Sequence, residues 1–86
     1  MHLVGHWRTR DDDEIDYIVE NIEGGILAFE VKASTGVSGK DFDPMRKLRS
    51  TLGVNFLGGH VLYLGKRSFN YEDRLHAVAL DQLWSI

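Results

Sequence analysis

The chain has 86 residues, 43% of them apolar and 27% charged, with a net charge of -3, which describes a single small globular domain over residues 1–86. It contains no cysteine, so a disulfide framework and a thiolate metal site are excluded. No apolar run reaches signal-peptide or transmembrane length, so a cytoplasmic protein without a membrane partner is expected. The charge balance offers no broad basic field for sequence-independent nucleic-acid binding.

His2 to Arg8 alternates weakly and reads as a first strand. Asp11-Asp12-Asp13 reads as a solvated turn rather than a cation site, because it lacks the ligand spacing of a calcium loop. Glu14 to Glu20 is strand-like, with Ile15, Tyr17 and Val19 on one face and Asp16, Ile18 and Glu20 on the other. Asn21 to Gly25 is a turn whose glycine pair supplies any positive φ. Ile26 to Ala33 is the most apolar segment and is expected to lie centrally in a sheet, with Leu27, Phe29 and Val31 opposite Ala28, Glu30 and Lys32.

A Gly- and Ser-bearing loop then leads into a helix over Asp41–Leu52. Asp41 or Asp43 can cap it, Pro44 suits its first turn, Met45, Leu48 and Leu52 form its apolar stripe, and Gly53 ends it. Phe56 to Leu64 and Leu75 to Leu80 read as further strands, separated by a turn at Gly65-Lys66-Arg67. Asp81 can cap a short C-terminal helix to Trp84. The expected order is βββαββ, an α/β (α+β) domain built on a mixed sheet.

The chemistry concentrates in Asp16, Glu30 and Lys32. Facing positions of an antiparallel pair sum to a constant, so the hairpin loop decides their relation. A loop of Ile22–Gly24 sets Asp16 against Glu30, and one of Glu23–Gly25 sets it against Lys32. An even-length loop puts Asp16 on the other face. Two carboxylates converging on a half-buried face need a cation between them, and hard oxygen donors suit Mg²⁺ or Mn²⁺, with the Val31 carbonyl as a further ligand. Such an ion polarises a phosphodiester oxygen and activates water, while Lys32 assists the water and offsets phosphate charge. A sheet-face salt bridge of Lys32 with Glu30 or Asp16 accounts for the same pattern equally well.

Asp16 followed by Glu30-Val31-Lys32 resembles the PD-(D/E)xK nuclease superfamily. More closely, the chain resembles the C-terminal domain that follows the P-loop module of AAA-type ATPases. The matching stretches are Trp7-Arg8-Thr9, Glu14 to Glu20, Phe29 to Ser34, Leu48 with Leu52-Gly53, Val61 to Gly65, and Asp73 to Val78 with Leu83-Trp84. The resemblance implies a restriction-endonuclease-like fold, with Asp16, Glu30 and Lys32 in the superfamily's metal and catalytic positions. The superfamily core has a helix before its first strand. This chain starts at that strand and is expected to be an N-terminally shortened version, pairing with a second copy over its bare sheet face.

The expected activity is therefore Mg²⁺-dependent hydrolysis of DNA by a homodimer. The alternative is a catalytically lapsed domain that serves dimerisation or other interactions. Ser34, Arg46 and Arg49 are candidate phosphate contacts, although strand termination and helix charge explain them as well. His2 and His6 lie on a strand, where their spacing does not make a metal site, and His60 and His76 read as strand-surface or core-edge residues. Trp7, Tyr17, Phe29, Tyr63 and Trp84 read as core. Neither Gly24-Gly25 nor Gly58-Gly59 is followed by Lys-Ser/Thr, so no nucleotide cofactor is expected.

Overall fold

The computed structural model describes residues 2–8 and 14–83, with side chains described for residues 17–81. The aspartate run and Trp84 lie outside the described residues, as do the side chains of Trp7, His2 and His6. Six strands form one mixed sheet: β1 (His2–Arg8), β2 (Glu14–Glu20), β3 (Ile26–Lys32), β4 (Phe56–Tyr63), β5 (Phe69–Glu72) and β6 (Leu75–Ala79). Their spatial order is β1-β2-β3-β4-β6-β5. β1, β2 and β3 form an antiparallel meander, β3, β4 and β6 run parallel, and β5 returns antiparallel along β6. Helix α1 (Asp43–Leu52) makes the crossover from β3 to β4, and the short α2 (Leu80–Leu83) follows β6.

The β2–β3 turn is a three-residue loop. Asn21 N–H donates to the Gly25 carbonyl (3.0 Å), and the Asn21 side-chain oxygen accepts from Glu23 and Gly25 N–H at 3.0 and 2.7 Å. Gly24 takes φ +88°, a left-handed conformation that costs glycine little. The ladder that follows pairs Tyr17 with Phe29, Ile18 with Ala28, Val19 with Leu27 and Glu20 with Ile26. Of the two odd-length registers open to the sequence, this is the one with an Ile22–Gly24 loop.

Helix α1 covers one face of the sheet. Met45 faces inward with Leu48 and Leu52 beside it, packing with Ile18, Ala28, Phe56, Val61, Leu75, Ala77 and Ala79. Small residues at the sheet centre let the helix come close. A Cβ added at Gly59 would stand 2.7 Å from Met45 Sδ. The helix starts two residues later than its expected Asp41 boundary, because a 3-10 turn over Gly39–Phe42 precedes it and buries Phe42 completely. Its N-cap is Phe42, and Gly53 closes it with φ +57°.

Tyr63 is core as expected, but Tyr17 and Phe29 are not. They pair with each other on the face away from α1, where Tyr17 is 48% and Val31 49% exposed. Aromatic content alone cannot say which face a crossover helix will cover. The structure also contains a strand absent from the expected order, β5. Its four residues are mostly exposed, and only pairing with β6 makes them a strand. The turn between them sets Arg74 at φ +58°, held by Arg74 Nη1 donating to the Gly53 and Phe56 carbonyls at 2.9 and 2.7 Å. Asp81 falls inside α2 rather than capping it.

Candidate functional site

The β2–β3 register, continued by one residue, sets position 16 directly across from Glu30. Strand alternation then places position 16, Glu30 and Lys32 on one face, the face that α1 covers. In the parallel ladder Glu30 pairs with Val61 and Lys32 with Tyr63, both buried. Glu30 and Lys32 therefore stand at the carboxyl end of β3, beside buried core residues of β4.

Lys32 pairs with the carboxylate of Asp41, a residue expected to cap the helix. Its Nζ lies 2.5 Å from Asp41 Oδ2, with side-chain exposures of 31% and 17%. The same oxygen accepts the Ser38 N–H at 2.7 Å. Burial pushes the Asp41 carboxyl upward, but the Lys32 and Ser38 hydrogen bonds and the lysine charge outweigh it and hold the group below the ordinary aspartate range. A signal for Asp41 was present in the topology. The start of a helix that follows a parallel strand returns beside that strand's carboxyl end, so an acid there meets the last side chains of β3.

Val31 sends its side chain to the opposite face, and its backbone pairs with Leu62 of β4. Ser34 closes the strand end: its N–H donates to the Lys32 carbonyl, its carbonyl accepts from Leu64 N–H, and its hydroxyl accepts from Gly36 N–H at 3.3 Å. Arg46 and Arg49 both bind Glu72. Arg46 Nε and Nη2 reach Oε1 at 3.2 and 3.1 Å, and Arg49 Nη2 reaches Oε2 at 2.8 Å. Arg49 Nη1 also donates to the Asp73 carbonyl at 2.7 Å, and Arg46 lies over the Tyr71 ring. Their guanidiniums thus tie α1 to the β5–β6 hairpin.

On the sheet face away from α1, Phe29, His60 and His76 stack in a row across three strands with 5.0 Å between successive ring centroids. His76 Nδ1 is 2.6 Å from Asn70 Oδ1, whereas the buried Nδ1 of His60 has no hydrogen-bond partner. Burial, reinforced by the neighbouring His76, lowers the His60 pKa against a backbone hydrogen bond at Ala28 that raises it. Both histidines are half-buried on their strands, within the strand-surface or core-edge expectation.

Among the described side chains, which do not include that of Asp16, no three acidic or histidine groups gather into a metal-binding cluster. The donor chemistry nevertheless fits a hard divalent ion. Glu30 lies in β3 and Asp41 meets Lys32 at the end of that strand, and carboxylates are the hard oxygen donors such an ion takes.

Fold and site together define an α+β domain with an acidic, lysine-bearing corner at the carboxyl end of a central strand. The chain belongs to the family described as domain of unknown function DUF4143, which matches residues 1–83 and is commonly found with AAA ATPases. No curated protein and no solved structure matches it. Among the described residues no helix is long and apolar enough to cross a membrane.

Proposed function

We propose that the domain is a Mg²⁺-dependent, nuclease-like protein of the PD-(D/E)xK type acting on DNA phosphodiester bonds. The observation that supports this reading best is the β2–β3 register, which meets the condition the chemistry imposes by setting position 16 opposite Glu30. Asp16 and Glu30 hold the metal, with the Val31 carbonyl as a further ligand. When bound, the ion polarises a phosphodiester oxygen and lowers the pKa of water. Lys32 orients that water and meets the phosphate charge. A second copy, docked over the sheet face away from α1, gives a dimer with two sites.

Titration with Mn²⁺ followed by assay on branched, duplex and single-stranded DNA tests the proposal. Binding at submillimolar metal is expected and should be lost in Asp16→Ala and Glu30→Ala; cleavage should fall to a small but measurable residual rate in Lys32→Ala. Cleavage that survives unchanged in Lys32→Ala rules the assignment out.

A second reading, an interaction module without catalysis, draws on the internal ion pairs of Lys32, Arg46 and Arg49 and on the half-exposed Tyr17 and Val31. It predicts no metal binding at millimolar Mn²⁺ and a self-association that is weakened by Val31→Glu.

A further inference from the structure

Asp41 does more than begin a helix. It sits in the 3-10 turn before α1, and the residue after it, Phe42, is fully buried and anchors that turn against the core. Its Oδ2 is fixed from one side by the Ser38 backbone N–H at 2.7 Å and meets Lys32 Nζ at 2.5 Å from the other. The carboxylate therefore stands on a rigid post. Lysine, by contrast, has a flexible four-carbon stem whose ammonium, left alone at the rim of a core, turns outward to water. We propose that Asp41 is a positioning residue that holds the Lys32 ammonium on the Glu30 side of the sheet, ready for a DNA phosphodiester.

The inference rests on the nuclease-like reading for its consequence, but not for its geometry. The Lys32–Asp41 pair is neutral as a unit, so holding the ammonium in place adds no net charge to the site. An incoming phosphate then shares the ammonium with Asp41 instead of having to gather it from solvent. Pre-ordering of this kind acts on the reacting complex more than on binding, since Lys32 is already in place before substrate arrives.

Asp41→Asn separates positioning from folding. The asparagine oxygen still accepts the Ser38 N–H, whereas the charge that holds Lys32 is gone. In nitrogen-labelled lysine NMR of the full chain, with Lys32 assigned through Lys32→Arg, the slowly exchanging ammonium signal of Lys32 is expected to disappear in Asp41→Asn while the backbone spectrum persists. It should return in part in Asp41→Glu.

In DNA cleavage with Mg²⁺, Asp41→Asn should lower kcat about 10- to 100-fold with KM nearly constant, and should add no further loss on a Lys32→Ala background. An unchanged Lys32 signal in Asp41→Asn, or losses that multiply in the double variant, overturns the proposal. A wild-type chain that binds metal but cleaves no DNA sinks the nuclease reading instead, and the ammonium signal alone then decides the positioning.

Discussion

Replacing Gly59 by alanine tests how closely α1 is pressed onto the sheet. The added methyl would stand 2.7 Å from Met45 Sδ, 3.1 Å from Leu75 Cδ2 and 3.1 Å from Phe56 Cζ. All three neighbours are at most 1% exposed, so the methyl is enclosed on the helix side and cannot swing to solvent. Overpacking of this kind costs about 1–3 kcal/mol, and the lower chain entropy of alanine in the unfolded state returns about 0.4–1 kcal/mol. The difference spans about 0–2.6 kcal/mol and centres near ~1.3 kcal/mol, which for a domain of this size lowers Tm by about 5–10 °C.

Calorimetry or circular dichroism melts read this directly, with Gly36→Ala as the control, since nothing lies within 4 Å of a Cβ there. Combining Gly59→Ala with Met45→Ala should cost less than the sum of the two, because the second change makes room for the first. An unchanged or raised Tm in Gly59→Ala would refute the close approach of helix and sheet. The depth at which α1 sits also sets where the turn bearing Asp41 meets Lys32.

Two further outcomes follow from the charged groups. Hydrogen bonds from Arg46 and Arg49 hold the Glu72 pKa below its ordinary value, so its contribution is present above the ordinary glutamate range and is lost as pH falls through the lower folded value. Glu72→Gln should therefore lower Tm at neutral pH, and the gap to wild type should close on acidification; a gap constant down to pH ~2 contradicts the clamp. His60 also has a lowered pKa, and burial is the leading cause. The unfolded chain binds a proton that folded His60 resists, so stability should decline as pH drops below about 6.5. His60→Leu should flatten that part of the pH–stability curve, and an imidazole NMR titration of His60 at or above the ordinary value would contradict the burial argument.

The alternation of Glu14–Glu20 and Ile26–Lys32 was legible because period two is a local property of contiguous residues. It put Asp16, Glu30 and Lys32 on one face for any odd-length loop, and the Asn21–Gly25 segment carried the turn chemistry for such a loop. Which odd loop forms was not legible. Both candidate loops contain glycine, and the choice comes from Asn21 capping Glu23 and Gly25 with one side-chain oxygen.

The covered face, the partner of Lys32 and the fate of Arg46 and Arg49 belong to the tertiary structure alone. Strand alternation is symmetric between faces until α1 crosses over one of them, and that choice turned Tyr17 and Phe29 outward and placed Glu30 and Lys32 beside Val61 and Tyr63. Lys32 and Asp41 are nine positions apart, and Arg46 and Glu72 are twenty-six. Ion pairs of that span exist only after the chain has returned on itself. What the sequence by itself determined is the set of charged groups brought to one face at the end of β3. The neighbours that hold those groups in place were decided by the crossover, because residues distant along the chain become neighbours only when the sheet and helix pack.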